Sequence, residues 1–232
     1  MIVGPWPLST VVGSFLLAFP TLFSIINPVG SSLVFYNVTS NRSHAERRYL
    51  SGRIALYSLA ILLGSIWIGG YILNFFGVSL GALRIGGGLV VSVQAWNLLL
   101  APEAQETQKA GDAAPAALRD DIAFFPLTMP LTTGPGSISV AIALASERPA
   151  ENSGLIPFFI GMTLAAVLNA FLVWVLYVSS DRVLSFLGPS GARVLNRLAA
   201  FLLLCIGVQI VITGGESVLG PWLQATAHAL GR

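Results

Sequence analysis

Two short stretches of the chain combine proline and glycine with small hydroxyl and amide side chains. Proline removes one backbone donor from a helix and glycine loosens the backbone, so each stretch predicts a break within a helix. Such a break leaves free amides on one side, which suit an anion, and free carbonyls on the other, which suit a cation. Two breaks that face each other would therefore bind a small zwitterion. The candidate substrate-binding residues are Asn27, Pro28, Gly30 and Ser31 in the first stretch, and Thr132, Thr133, Gly134, Pro135, Gly136 and Ser137 in the second.

The chain around these stretches has the composition of an integral membrane protein. Of its 232 residues, 55% are hydrophobic and only 9% are charged, whereas soluble domains carry about 25% charged residues. A spanning helix needs about 20 apolar residues. Such runs lie at residues 11–36, 54–76, 80–100, 122–145, 155–178 and 195–213. We therefore expect an all-α membrane protein with six transmembrane helices, of which the first and the fourth are broken by the Pro/Gly stretches.

The broken segments lie deep in the predicted spans, where an unpaired backbone group costs several kcal/mol. They are therefore expected to face protein or water rather than lipid. The alternative is a structural kink whose backbone groups are satisfied by neighbouring Ser and Thr side chains. Two related stretches rich in Thr, Ser and Asn favour a binding site over two kinks. Secondary candidates for lining a pathway are Gln94, Asn169 and Gln209, for which hydrogen bonding between helices is the alternative.

The two stretches occupy corresponding places in two halves of the chain. The first begins at Phe19-Pro20 and the second at Phe125-Pro126, and each ends in a Gly-Ser pair whose serine lies eleven residues after that proline. Duplication of a unit with three spans forces the copies into opposite orientations. We therefore predict two inverted three-helix repeats, residues 1–100 and 122–232, joined by a linker loop at 101–121. Chance similarity is the alternative, because proline and glycine are common in membrane helices.

The distribution of basic residues predicts the orientation of the chain in the membrane. The first, third and fifth loops share one side, with nine basic residues: Arg42, Arg47, Arg48, Arg53, Lys109, Arg119, Arg182, Arg193 and Arg197. The side that holds both termini carries three: Arg84, Arg148 and Arg232. Cytoplasmic loops carry the excess of Lys and Arg. We therefore expect both termini to be periplasmic or extracellular, and the linker loop at 101–121 to be cytoplasmic.

The sequence offers little for catalysis, for metal binding or for nucleic-acid binding. It has two histidines and one cysteine, and no Asp, Glu or His lies near the middle of a predicted span. Intramembrane catalysis needs a nucleophile with a base, or metal ligands, so we expect no enzyme, no metal site and no cofactor. The basic residues between 42 and 53 are explained by topology and by anionic lipid, so no nucleic-acid partner is expected.

The motifs Asn27-Pro28-Val29-Gly30 and Pro130-Leu131-Thr132-Thr133-Gly134-Pro135-Gly136-Ser137 resemble those of the MarC family of bacterial inner-membrane proteins. The resemblance covers essentially the whole chain, including the six spans, the basic first loop and the polar middle loop. The chain departs from the family after the first motif, where Ser31-Ser32-Leu33 stands in place of an Asn and a second Pro. It also has Asn27 where some relatives have Asp, and asparagine cannot titrate.

The resemblance implies a protein of the bacterial inner membrane that moves a small neutral solute. Some family members resemble proton-coupled transporters of small neutral amino acids such as glycine and alanine, and the family is thought to be related to amino-acid exporters of the LysE kind. The expectation is a secondary transporter with alternating access between its two halves. The alternative is an exporter or channel for another small molecule. The expected partners are the lipid bilayer and the solute, while a coupling cation (proton or sodium) and a homo-oligomer are left open.

Overall fold

The structure, a computed structural model, describes residues 7–100, 122–149 and 152–230. The regular secondary structure in these ranges is helical, which confirms the prediction of an all-α chain for the part described. In chain order the helices are α1 (Val11–Ile26), α2 (Pro28–Val38), α3 (His44–Trp67), α4 (Gly69–Phe75), α5 (Leu80–Leu100), α6 (Ala123–Thr132), α7 (Pro135–Ala145), α8 (Asn152–Val178) and α9 (Ser180–Leu230). The predicted linker loop at 101–121 lies outside the described residues.

Several of these helices are long and apolar enough to cross a membrane. Four segments meet this condition by themselves: Val11–Val38, His44–Trp67, Ser153–Val178 and Ala200–Gly220. The number rises to six if each of two bent pairs is one span, namely α4 with most of α5, bent by 112°, and α6 with α7, bent by 62°. The chain is therefore a helical membrane protein with four to six spans, and the predicted six spans agree with the upper number.

The first predicted break lies between α1 and α2. Asn27 has a left-handed backbone conformation with φ 46° and ψ 60°, which asparagine adopts more readily than most residues. Its backbone amide donates to the Phe23 carbonyl at 2.9 Å, and its side-chain Oδ1 accepts from the Gly30 amide at 3.2 Å. Asn27 thus ends α1 and caps α2, with Pro28 at the first helical position, where a missing amide costs little.

The second predicted break, between α6 and α7, has a different form. The α6 backbone is extended at the residue before each of its two prolines, because a proline disfavours the helical conformation of its predecessor. The hydroxyls of Thr128 and Thr132 donate to carbonyls five residues earlier, at 2.6 and 2.7 Å. These bonds hold the wide turns of α6 together until Gly134, after which α7 begins as a regular helix.

Several helix boundaries differ from the prediction. The predicted span 54–76 is divided, because α3 ends at Trp67 and α4 covers Gly69–Phe75. Two further differences lie at helix starts. α3 begins at His44, ten residues before the predicted span 54–76, because Ser43 and Glu46 form a capping box there. α9 includes residues 180–194, which the apolar pattern predicts to be a loop. Both differences have one physical cause. A run of apolar residues marks the length of chain that lipid can surround, and a helix can extend beyond that length into polar surroundings.

The helices of the two halves pack mainly against each other. Both α1 and α3 contact α8, while α5 contacts α9 and α7, and α2 contacts α9. The core between them includes the fully buried side chains of Leu22, Leu62, Phe158 and Met162. Since lipid tails are as apolar as these side chains, close packing rather than exclusion of water drives such contacts in a membrane. The two broken helices are therefore held in place by helices from the opposite half.

Glycines allow α5 and α9 to approach closely. A Cβ atom on Gly88 would lie 2.7 Å from the Gly207 carbonyl oxygen, and one on Gly207 would lie 3.0 Å from the Gly88 carbonyl oxygen. Gly81 and Gly214 make a second contact of the same kind, at 3.2 and 2.9 Å. Small residues at helix contacts are a common means of backbone-to-backbone packing in membranes. The pairing of 81 with 214 and of 88 with 207 shows that the two helices run antiparallel.

We expect Gly88→Ala to destabilise the folded protein by about 2 kcal/mol, because the added methyl group meets backbone atoms that cannot rotate away. Gly86→Ala on the same helix is the matched control, since a Cβ atom there meets nothing within 4 Å. Thermal unfolding in detergent, followed by circular dichroism, measures both variants. Equal shifts in melting temperature would contradict the close packing of α5 on α9.

Candidate functional site

The first half-site surrounds the break at Asn27. Pro28 and Gly30 are buried, while Asn27 and Ser31 are half-buried. A Cβ atom on Gly30 would overlap the Asn27 side chain, so glycine is what lets this side chain fold back over the start of α2. The Ser31 hydroxyl donates to the Ile26 carbonyl at 3.0 Å and satisfies one of the acceptors that the end of α1 leaves open.

The second half-site surrounds the break between α6 and α7. Its buried members are Thr132, Thr133, Gly134, Gly136 and Ser137. Pro135 is exposed, so the structure does not place this candidate with the others. The Ser137 hydroxyl donates to the Gly134 carbonyl at 2.8 Å. No side chain caps the start of α7, so its first backbone amides have no capping partner within the described chain.

Tyr177, in the last turn of α8, connects the two half-sites. Its side chain is fully buried, and its hydroxyl lies 2.7 Å from Thr132 Oγ1. The Ser31 side chain lies near the same hydroxyl. Its ring stacks on Phe35 with the ring centroids 4.6 Å apart. The structure thus brings Ser31 and Thr132 of the two predicted breaks to one hydroxyl group, where α2, α6 and α8 meet.

Sequence reasoning misses Tyr177. The residue ends the fifth apolar run, and tyrosine at the end of a span is usually an anchor at the membrane interface. A signal was nevertheless available, because a buried tyrosine hydroxyl needs a hydrogen-bond partner. The polar residues of the two broken helices are natural partners for such a group.

Two of the candidates carry a buried polar atom that no described residue hydrogen-bonds, namely Thr133 Oγ1 and Asn169 Oδ1. Asn169 Nδ2 donates to the Ala165 carbonyl at 2.9 Å and lies 3.5 Å from the Phe19 carbonyl on α1. Its side-chain oxygen has no hydrogen-bond partner among the described residues. Buried polar groups are nearly always paired, and an unpaired one costs about 1–3 kcal/mol. Both atoms are therefore available to a donor on a ligand or on water.

The secondary candidates are dispersed. Asn169 is fully buried beside α1, whereas Gln209 is exposed on α9. Gln94 belongs to α5, but its side chain lies outside the part of the structure that is described. Across residues 7–100, 122–149 and 152–230, no group of three or more His, Cys, Asp and Glu side chains is arranged to hold a metal ion.

Comparison with known proteins places the chain among membrane proteins of one family. Residues 12–219 match the family described as MarC family integral membrane protein. A membrane protein of Methanocaldococcus jannaschii is 35% identical over 207 residues, which cover 88% of this chain and 97% of that protein. The inner membrane protein MarC of Escherichia coli is 32% identical over 206 residues, covering 85% of this chain and 92% of that protein.

The same protein of Salmonella typhimurium is 32% identical over 208 residues, with the same coverage of 85% and 92%. No solved structure matches the chain significantly. The match extends over both helix breaks and over α8, which carries the tyrosine that joins them. The chain therefore belongs to the MarC family of integral membrane proteins.

Proposed function

We propose that the protein is a secondary transporter of a small neutral solute, such as the small neutral amino acids glycine and alanine. One observation carries this proposal: the break after α1 and the break after α6 come together at the buried hydroxyl of Tyr177, which hydrogen-bonds Thr132 and has Ser31 beside it. Broken helices that meet inside the membrane are the usual binding sites of secondary transporters. The name of the Escherichia coli relative supports a location in the inner membrane.

The groups around this junction suit a zwitterion. The uncapped amides at the start of α7 favour a carboxylate, because the N-terminal end of a helix carries partial positive charge. Thr133 Oγ1, next to Thr132, has no hydrogen-bond partner among the described residues and can accept a hydrogen bond from an ammonium group.

The proposed transport cycle is alternating access between two inverted repeats, residues 1–100 and 122–232. The contacts between helices support this arrangement, because the main contacts of each broken helix have a counterpart in the other half. α1 and α2 contact α8, as α6 and α7 contact α3; likewise α2 contacts α9, as α7 contacts α5. Each broken helix thus packs against the second and third spans of the opposite half, as expected for a two-fold axis in the membrane plane.

The proposed orientation has both termini on the periplasmic side and the linker at 101–121 in the cytoplasm. It is supported by the nine basic residues on one side against three on the other, which together make up the 12 Lys and Arg residues of the chain. The proposed function is that of a carrier rather than of an enzyme. A proton or a sodium ion is its candidate coupling cation, and a homo-oligomer is compatible with the proposal.

Flux through reconstituted protein tests the transport proposal. Proteoliposomes with the wild-type chain are expected to exchange labelled glycine, alanine or serine faster than liposomes without protein. Asn27→Gly keeps the left-handed backbone but removes the side chain that caps the Gly30 amide. It should slow flux about fivefold, equivalent to about 1 kcal/mol for a lost hydrogen bond to the solute, because glycine at an N-cap costs only a few tenths of a kcal/mol. Asn74→Gly changes an exposed asparagine on α4 and, as the matched control, should transport like the wild type.

Two different outcomes would reject the proposed substrate and the proposed site. No flux of any of the three amino acids, in either direction, would reject amino-acid transport. Flux that is equally slow in the Asn27 and Asn74 variants would reject a role for the first break in binding or moving the solute.

A further inference from the structure

Two ion pairs join the halves of the protein at opposite ends of α8. At one end Arg47 Nη1, near the start of α3, lies 2.5 Å from Asp181 Oδ1, at the start of α9. His44 Nδ1 lies 3.2 Å from the second oxygen of the same carboxylate. At the other end Arg84 Nη2, on α5, lies 3.3 Å from Glu147 Oε1, just after α7.

The helix α8 separates these two pairs across the membrane. It lies between Glu147 and Asp181 in the chain, and its 27 residues extend about 40 Å at 1.5 Å per residue. That length exceeds the hydrocarbon thickness of a bilayer, about 30 Å. The Arg84–Glu147 pair and the Arg47–Asp181 pair therefore lie at opposite faces of the membrane.

The two pairs are alike in the segments that they connect. Each joins the beginning of the last long helix of one half, α5 or α9, to the segment that follows the broken helix of the other half. Arg84 on α5 pairs with Glu147 after α7, and Asp181 in the first turn of α9, fourteen residues before the predicted span 195–213, pairs with Arg47 in the first turn of α3. Neither pair connects residues within one half, so each must break if the halves separate at its face.

In each pair the arginine side chain is mostly buried, and the carboxylate side chain is partly exposed to solvent. The Arg47 and Arg84 side chains are 11% and 15% exposed, and those of Asp181 and Glu147 are 34% and 31% exposed. Each guanidinium group has a second contact that holds it in place: Arg47 lies 5.4 Å from the centre of the Tyr36 ring, and Arg84 Nη1 donates to Ser217 Oγ at 3.2 Å. A pair that water reaches on one side is weak enough to open and close repeatedly.

We propose that these two ion pairs are latches that close the two faces of the solute pathway in turn. The inference rests on the proposed transport function, because alternating access separates the halves at one face while they stay together at the other. Opening one face breaks the pair at that face and leaves the other pair formed. The structure has both pairs formed and is therefore a conformation that is closed at both faces.

Chemical labelling of a buried thiol from one face of the membrane at a time tests the latches without measuring transport. Ser137→Cys places a thiol at the buried start of α7, in a background where the exposed Cys205 is replaced by Ser. A maleimide that cannot cross the membrane is added to one face of sealed vesicles at a time. Glu147→Gln should raise the labelling rate several-fold from the face that holds Glu147, and Asp181→Asn should raise it several-fold from the opposite face. Both variants keep every Lys and Arg residue, so the charge bias that sets orientation is unchanged.

The matched control is Glu216→Gln, which removes an exposed carboxylate at the same face as Glu147. Glu216 forms no ion pair with the described residues, so labelling should not change. Exchange of the charges, Arg84→Glu with Glu147→Arg, should restore the slow labelling of the parent. Faster labelling from both faces at once, or no change with either single variant, would overturn the latches.

Transport and labelling can fail separately. Sided labelling without flux of glycine, alanine or serine would support the latches and reject the proposed solute. Flux of these amino acids without sided labelling would support the transport proposal and overturn the latches.

Discussion

Gly161→Ala is expected to destabilise the folded protein by about 3 kcal/mol. Gly161 is buried on α8, where this helix crosses α1. A Cβ atom there would overlap Ser14 Oγ and the Val11 carbonyl oxygen, and would lie 2.9 Å from the Phe15 amide nitrogen. Two of these three atoms belong to the α1 backbone, which cannot rotate aside as a side chain can. The methyl group would therefore push α1 and α8 apart and open a contact between the two halves.

Thermal unfolding of the detergent-solubilised protein, followed by circular dichroism, measures this loss. Gly64→Ala on α3 is the matched control, because a Cβ atom on Gly64 would meet nothing within 4 Å. Alanine is the better helix former by up to about 1 kcal/mol, so this control should be neutral or slightly stabilising. A similar loss of stability in both variants would contradict the close approach of α1 to α8.

The helix breaks could be predicted from the sequence because proline and glycine act on their own backbone. Asn27 ends α1 inside the first motif, and Gly134 precedes α7 inside the second. The spans could be predicted for a related reason, since lipid requires a fixed length of apolar chain. Both features are local, and neither depends on which other helix lies alongside.

The contacts that complete the site could not be predicted in this way. Tyr177 and Thr132 are 45 positions apart in the chain, and the Gly161 contact joins α8 to α1 in the opposite half. Both depend on the rotation of each helix about its own axis. In a soluble protein the polar face of a helix reveals that rotation, but these helices are apolar nearly all round, so their sequence periodicity leaves the rotation undetermined.

The hydrogen bonds within the breaks escaped prediction for a different reason. The Thr128 and Thr132 hydroxyls reach carbonyls five residues earlier, whereas Ser and Thr in a regular helix reach those three or four residues earlier. The longer reach follows from the wide turns of α6, which come from the spacing of its two prolines. The motif therefore indicated that the helix would break, but not which hydroxyl would satisfy which carbonyl.

Tyr177→Phe is expected to slow solute flux about tenfold, equivalent to about 1.4 kcal/mol for the lost hydrogen bond to Thr132, with little loss of stability. The new ring can keep its stacking on Phe35. Thr132 and Ser31 each keep a bond to a backbone carbonyl of their own broken helix, so neither hydroxyl is left unpaired. What is lost is the link between the two breaks, and groups that no longer hold a fixed relative position bind a transition state poorly.

Flux in proteoliposomes and thermal unfolding, measured on the same preparations, separate the effect on transport from the effect on stability. Tyr57→Phe on α3 is the matched control: its ring packs edge-on against Phe124, and loss of its hydroxyl should change neither quantity. Unchanged flux in Tyr177→Phe would mean that the two breaks work separately, and unfolding at a much lower temperature would assign the hydroxyl to packing alone. Slow flux in a stable variant would mean that the two breaks form one site, because each half-site is otherwise intact in that variant.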